Sequence, residues 1–314
     1  SVDRTRVFSD LSLSLSEGEA LAVMGASGSG KTTLAHIIAG LAPRFTGGVI
    51  EGSVRVQGHD VIATSPPVGE VGLLFQDAAT QLFNTTVEEE IAWGLEAMGV
   101  APREIEMRID RALNRFGLVG LRRRHPWALS GGQQKRLALA AVWAMRPQVF
   151  VLDEPLGGLD PDGRGEVLRA MGALRPTGAT FLLMTLRPEA ARTASRVGLV
   201  SEDGLSDLDA DPAILSQTDR LVEAGILLPS GEWPDLGPRD ASSSNDHPYA
   251  IAVDRLSFRY PEGPDVLHEL SLSVPSGQFL AVVGPNGGGK STLIRHFNGL
   301  LRPTRGTVTV MGRD

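Results

Sequence analysis

Apolar positions in this chain fall into short continuous runs separated by longer stretches with helical spacing. Ala20-Leu21-Ala22-Val23-Met24, Val149-Phe150-Val151-Leu152, Thr180-Phe181-Leu182-Leu183-Met184 and Val197-Gly198-Leu199-Val200 have the length and composition of strands buried on both faces. A shorter strand is expected around Val54-Arg55-Val56, before the turn Gly58-His59-Asp60, and Leu73-Leu74-Phe75 then leads to Gln76-Asp77. Leu11-Ser12-Leu13-Ser14-Leu15 alternates strictly, which predicts a strand with one wet face and hence an antiparallel part of the fold. Val87, Ile91, Leu95 and Met98 recur at helical period behind the capping-box spacing Thr86-Val87-Glu88-Glu89. Pro102 opens a second helix, with Ile105, Ile109, Ala112, Leu113 and Phe116 on one face and Gly117 near its end. Ser130 is placed to cap a helix through Leu137, Leu139 and Ala141 that stops before Pro147, and Asp160-Pro161 start another. Strands alternating with helices predict a parallel α/β sheet carrying a helical insert.

Part of the pattern occurs twice. Val266-Leu267-His268-Glu269-Leu270-Ser271-Leu272-Ser273-Val274 matches Val7-Phe8-Ser9-Asp10-Leu11-Ser12-Leu13-Ser14-Leu15, and a second apolar run, Phe279-Leu280-Ala281-Val282-Val283, is expected to form a strand. Each run leads into a glycine-rich loop, Gly25-Ala26-Ser27-Gly28-Ser29-Gly30-Lys31-Thr32 and Gly284-Pro285-Asn286-Gly287-Gly288-Gly289-Lys290-Ser291. Lys31 and Lys290 are 290 − 31 = 259 residues apart. From about Leu205 to Ala250 the chain turns acidic and rich in Pro, Ser, Gly and Asp, which predicts a linker with a short helix near Ile214 to Ala224. The expected division is a first domain over 1–228, a linker over 229–250 and the N-terminal part of a second copy over 251–314. Gly312-Arg313-Asp314 matches Gly58-His59-Asp60, so the second copy reads as only the start of a module.

The loops carry the candidate chemistry. Glycines let backbone N–H groups converge on phosphate oxygens, the following helix N-terminus favours an anion, the lysine reaches β- and γ-phosphates, and Thr32 or Ser291 can ligand Mg²⁺. The nucleotide-binding residues expected are Gly25, Ala26, Ser27, Gly28, Ser29, Gly30, Lys31, Thr32 and Thr33. In the second copy they are Gly284, Pro285, Asn286, Gly287, Gly288, Gly289, Lys290, Ser291 and Thr292. Lys31, Lys135 and Lys290 are the only lysines, so two of the three stand in phosphate loops.

Composition narrows the classes. The 314 residues exceed the usual single domain, and 42% apolar content is ordinary for a globular protein. A net charge of −7, with Arg122-Arg123-Arg124 as the one basic block, gives no electrostatic footprint for nucleic acid. The absence of cysteine excludes disulfides, thiolate metal sites and a cysteine nucleophile. The longest apolar run, Leu137 to Met145, falls far short of the ~20 residues of a membrane span. The chain opens on Ser with no leader-like stretch, which suggests a missing N-terminus rather than a signal peptide.

Leu129-Ser130-Gly131-Gly132-Gln133, with the phosphate loop and Gln76 upstream and Asp153-Glu154 downstream, resembles the ATP-binding cassette (ABC) family. The resemblance implies a P-loop NTPase α/β fold with a parallel core sheet, an antiparallel β subdomain and a helical subdomain, here in tandem with an incomplete second copy. Phe75-Gln76-Asp77-Ala78-Ala79-Thr80-Gln81-Leu82-Phe83, Val87-Glu88-Glu89-Glu90-Ile91-Ala92-Trp93-Gly94-Leu95 and Asn298-Gly299-Leu300-Leu301-Arg302-Pro303 are similar to ATPases of energy-coupling-factor importers for vitamins and transition metals. That likeness implies an ATPase at the cytoplasmic face of the membrane, ATP and Mg²⁺ as cofactors, integral membrane transport subunits as partners, and cassette pairing within the chain or as a dimer. A tandem ATPase acting on ribosomes or nucleic acid, and a sugar or peptide importer ATPase, remain alternatives.

The residue roles combine that likeness with what γ-phosphate transfer needs. Lys31 and Lys290 neutralise phosphate charge, Thr32, Gln76, Asp153 and Ser291 are expected metal ligands, and Glu154 is the general base. By resemblance, Ser130, Gly132 and Gln133 contact ATP bound on the other module, the nucleotide at Lys290 and Ser291. Asp160 belongs to the loop crossing between modules, and Tyr260 stacks on adenine. Two positions depart from the family: Leu186 stands where a histidine is usual, and Ser1 stands at the position matching Tyr260. The Lys31 site is therefore expected to be impaired and the Lys290 site to carry most turnover.

Overall fold

The computed structural model describes residues 6–9, 11–174, 178–201, 204–210, 212–226, 249–261, 263 and 265–313. They fall into two compact units, residues 1–229 and 230–314.

The first unit is built on a six-stranded sheet: β1 (Ala20–Gly25), β4 (Val71–Leu74), β5 (Val149–Asp153), β6 (Thr180–Thr185), β7 (Arg196–Ser201) and β8 (Gly204–Ala210), in the order β4-β5-β6-β1-β7-β8. The pairs from β4 through β7 are parallel and β7–β8 is antiparallel. The segment after Leu205, expected to be linker, therefore begins as an edge strand. One register row runs Leu74–Leu152–Leu183–Ala22, and from it the strands extend stepwise to Leu74, Asp153, Thr185 and Gly25 at a common carboxyl edge. Alternate residues serve opposite faces. Leu21, Val23, Val151, Leu182 and Met184 pack with Leu34 and Ala35 of α1 (Lys31–Ile38). Ala22, Met24, Leu152 and Leu183 face the larger core formed with α4 (Gly131–Ala144) and α5 (Pro161–Leu174). Phe150 and Phe181 stack at 4.9 Å across β5–β6. Two-residue strands β2 (Arg55–Val56) and β3 (His59–Asp60) form a hairpin where a turn was expected.

The helical insert comprises α2 (Val87–Ala97) and α3 (Pro102–Arg115), which pack on α4. Thr86 and Glu89 form the full capping box, and Pro102 occupies the first turn of α3. The Arg122 guanidinium joins Glu88 of α2 to Glu106 and Asp110 of α3, so the basic triplet begins with an internal clasp. The one-turn α6 (Pro188–Ala191) follows β6, and α7 (Thr218–Glu223) supplies the short helix expected before residue 225.

The second unit holds a three-stranded antiparallel sheet, β10 (Asp265–Pro275), β9 (Tyr249–Arg259) and β11 (Arg305–Val310), with β9 central, and the helix α8 (Lys290–Phe297). Within the expected linker only Tyr249 and Ala250 are described, and both belong to β9.

Two expected strands are absent. Leu11, Leu13 and Leu15 keep their alternation and pack half-buried on the core, but the segment pairs with no strand. In the second unit the matching residues hydrogen-bond to β9, and no described residue of the first unit offers that edge. Instead Leu11 to Leu15 and Ser53 to Gln57 line a groove of about 370 Å³. Phe279–Val283 is likewise unpaired, with Phe279 92% exposed. Its counterpart β1 is held between β6 and β7, and an apolar strand without such neighbours gains no ladder. No helix among the described residues is long and apolar enough to cross a membrane.

Candidate functional site

The site grows from the carboxyl edge of the parallel sheet, where ligands of open α/β folds gather. Gly25 ends β1 so close to β7 that an added Cβ would lie 2.4 Å from the Val200 carbonyl oxygen. The chain then turns through Gly28 and Gly30 at φ 85° and 92°, a region that disfavours side chains, and enters α1 at Lys31. Lys31 is 6% exposed and folds back to donate to the carbonyls of Gly25 (2.7 Å) and Ala26 (2.8 Å). Burial lowers its pKa against the opposing charges of Glu154 and Asp153.

The two carboxylates end β5. Asp153 is 1% exposed, and neither carboxylate oxygen has a hydrogen bond of normal geometry. Burial raises its pKa, outweighing the Thr32 hydroxyl, His36, Lys31 and Lys135, which all favour the charge. Glu154 is 8% exposed, its Oε1 has no partner, and burial raises its pKa as well. The charge of Lys31 and the Leu186 backbone N–H pull the other way. Glu154 also has φ 43°, a left-handed conformation that costs a non-glycine residue on the order of 1–3 kcal/mol. An orphaned buried carboxylate beside an exposed threonine hydroxyl suits a hard cation such as Mg²⁺, so Asp153 and Thr32 fit that role. Gln76 leaves β4, the neighbour of β5, at the same edge and is exposed.

Ser130 caps α4 as expected: its hydroxyl accepts from Gln133 N–H (3.3 Å) and Gln133 Oε1 accepts from Ser130 N–H (3.0 Å). Gly132 lies where an added Cβ would be 3.3 Å from Gly163 Cα, so α4 and α5 touch backbone to backbone. Asp160 caps α5 through Gly163 N–H at 2.8 Å. The described contacts of Ser130 and Gly132 are with their own helix and α5, and none joins them to the loop at Lys31.

The second loop repeats two features of the first, its left-handed glycines and the fold-back of its lysine, although Gly284 is exposed where Gly25 is buried. Gly287 and Gly289 have φ 79° and 78°, and Lys290 donates to Gly284 O (2.8 Å) and Pro285 O (2.6 Å). Tyr260 packs edge-on against Phe258, and its hydroxyl meets Thr292 Oγ1 at 3.3 Å, at the start of α8. Ser1 lies outside the described residues.

The sequence model described as "ABC transporter" matches residues 8–157 and 267–314. The chain belongs to the ABC transporter family. A protein of Caldanaerobacter subterraneus subsp. tengcongensis, provisionally named an ABC transporter ATP-binding protein, is 35% identical over 97% of this chain and 60% of its own length. CbiO1 from Clostridium perfringens, described as part of the ABC transporter complex CbiONQ, superposes with a TM-score of 0.60 at 26% identity, covering 70% of this chain and 88% of that one. An ATP-binding cassette dimer in a post-hydrolysis state with ADP and Pi shares the fold, with a TM-score of 0.57 at 24% identity over 65% and 91% of the two chains. The chain spans 58–60% of the length of the first curated ABC relatives it matches.

Within this ABC ATPase fold, Lys31, Thr32, Asp153 and Glu154 come together. Three supporting residues escaped the sequence reading. Lys135, 5% exposed, donates to Glu154 O (2.8 Å) and Gly157 O (2.9 Å), and burial brings its pKa down to about 8. Gln81 braces the Gln76 loop, accepting from Phe75 N–H and donating to Leu73 O. Buried Glu90 accepts from the N–H groups of Phe83 and Asn84. Only Lys135 had a signal, as the one lysine outside a phosphate loop.

Proposed function

We propose that this chain binds and hydrolyses ATP to drive an importer of the energy-coupling-factor type. The observation that carries the reading is the meeting of the Gly25–Thr32 loop with the buried carboxylates of Asp153 and Glu154 at one sheet edge. Lys31 and the loop N–H groups would hold the β- and γ-phosphates, and bound ATP would replace the loop carbonyls that Lys31 now contacts. Thr32, Asp153 and Gln76 would hold Mg²⁺, which supplies charge neutralisation on the phosphates when bound. Glu154, its basicity raised by burial, orients and deprotonates the attacking water. Ser130 and Gly132 at the start of α4 serve nucleotide held by a second cassette, in the same chain or a partner chain.

The Lys290–Ser291 loop belongs to a second cassette, with Tyr260 as its adenine platform. Support for the importer class is the likeness of the Gln76-to-Leu95 stretch, together with CbiO1 among the structural neighbours. Phe83 and Trp93, exposed and in edge-to-face contact at 5.1 Å, are the surface we assign to an integral membrane subunit at the cytoplasmic face.

The test is ATP binding and turnover by the chain with its membrane subunits. Glu154→Gln is expected to leave ATP bound at the Lys31 loop but to cut turnover at that site at least about a hundredfold, the scale of one lost general base. In the full-length protein, where the second cassette would have its own water-activating carboxylate, Lys290→Ala is expected to cost more turnover than Lys31→Ala, because Leu186 offers the first site no imidazole. Equal losses would remove the asymmetry, and co-purification with ribosomes rather than membrane subunits would overturn the transport reading.

A further inference from the structure

Lys135 is buried between two pieces of machinery. It lies in the second turn of α4, five residues after the Ser130 cap, and its ammonium binds two backbone carbonyls of the turn that carries Glu154. Gly157 N–H donates to the same Glu154 carbonyl at 2.9 Å, so that oxygen takes both a turn hydrogen bond and the ammonium. On its other side Glu154 N–H donates to Met184 O at 2.9 Å. The left-handed Glu154 backbone is thus held from β6 on one side and from α4 on the other.

Satisfying two carbonyls does not by itself require a charge in the core, where desolvation is costly. The lysine is supported electrostatically by Glu154, Asp77 and Asp153 and opposed by Arg187. Its distinctive property is reach: it spans from α4, a separate element, to the turn after β5. A shift of α4 along its axis displaces the Glu154 carbonyl, and with it the strained residue whose carboxylate faces Lys31.

We infer that Lys135 is a positioning residue, which sets the Glu154 carboxylate according to the position of the α4 N-terminus. This inference rests on the ATPase reading above. It assigns Lys135 no contact with nucleotide or water; it acts through the Glu154–Gly157 turn.

The experiment compares the full chain with Lys135→Met, which keeps the length and removes the donors. Five quantities are read: kcat and KM for ATP, equilibrium ATP affinity, Tm, and hydrogen exchange at the Gly157 amide. With Lys290→Ala present in both proteins, so that turnover reports the Lys31 site, the expected result is a fall in kcat of at least about tenfold, the size of one lost charge-assisted contact in a turnover step. KM and ATP affinity are expected to stay within about twofold, and exchange at Gly157 to quicken by about tenfold. The chain has no cysteine, so Lys135→Cys introduces a single thiol that can be aminoethylated in the unfolded chain before refolding. Restored ammonium is expected to restore kcat and Gly157 protection, which a general packing defect would not follow. Unchanged kcat, or loss of kcat and ATP affinity together with no rescue, overturns the proposal. If the parent chain binds no ATP and shows no turnover, the ATPase reading fails instead; unchanged exchange at Gly157 then overturns the Lys135 clamp by itself.

Discussion

Asp153→Asn is expected to stabilise the protein while removing a proposed metal ligand. The wild-type carboxylate is almost wholly buried and lacks a hydrogen bond of normal geometry, so its charged form is held at a cost. Nearby Lys31 and Lys135 reduce that cost, but the net displacement of the Asp153 pKa is upward, so burial wins. Asparagine keeps the volume and discards the charge. The amide is left equally unpaired, so only the charge-specific part of the burial cost is recovered; a gain of about 1 kcal/mol in a unit of this size raises Tm by roughly 2–4 °C. The sign of the pH dependence follows from linkage. With the folded pKa above the ordinary ~3.9, the native state binds more protons than the unfolded state between the two values. The contribution of Asp153 to stability therefore falls as pH rises through that window and stays at its full penalty above it. The advantage of Asp153→Asn should grow from about pH 4 upward and then level off. Thermal unfolding without nucleotide, stepped through pH, measures it. Adding Mg-ATP should raise the wild-type Tm and the variant's much less, since only the wild type gains the ligand's linkage. A variant that is less stable near neutral pH, or a gain independent of pH, would refute the reasoning.

Glycine positions give opposite expectations in chemical denaturation. Gly25→Ala drives a methyl into the Val200 carbonyl and should cost about 1–3 kcal/mol, whereas Gly172→Ala, in open space on α5, should add about 0.5–1 kcal/mol. Trp93→Ala should leave the fold's Tm nearly unchanged yet reduce co-purification with the membrane subunits; undiminished capture removes the aromatic pair from the interface. Arg122→Ala breaks contacts to three carboxylates joining α2 and α3, and should cost roughly 1 kcal/mol, with hydrogen exchange quickening first in those helices.

Signals that act within a few residues were legible before any coordinates. The loops at Lys31 and Lys290, the Thr86 and Ser130 caps, and the apolar strand ending at Asp153 all have local physical causes. What depended on partners elsewhere was not. Leu11–Leu15 and Phe279–Val283 have the right patterns for strands, but pattern supplies side-chain placement and not the neighbouring ladder. The hairpin formed by β7 and β8 was hidden by an acidic composition that suits an edge strand as well as a linker. Lys135, Gln81 and Glu90 each satisfy backbone groups distant in sequence or in an irregular loop, a role that leaves no periodic trace.

The two lysine loops share their glycine angles and their carbonyl contacts, although one follows a strand clamped on both sides and the other follows an unpaired segment. Their shape is therefore written within the loop and its first helical turn, and the sheet is not needed to mould it. A phosphate cradle of this kind is a portable part: moved ahead of another helix with its glycines intact, it should keep its curvature. What the surrounding sheet adds is the pair of acids that, on the proposed reading, would turn a grip on nucleotide into a reaction.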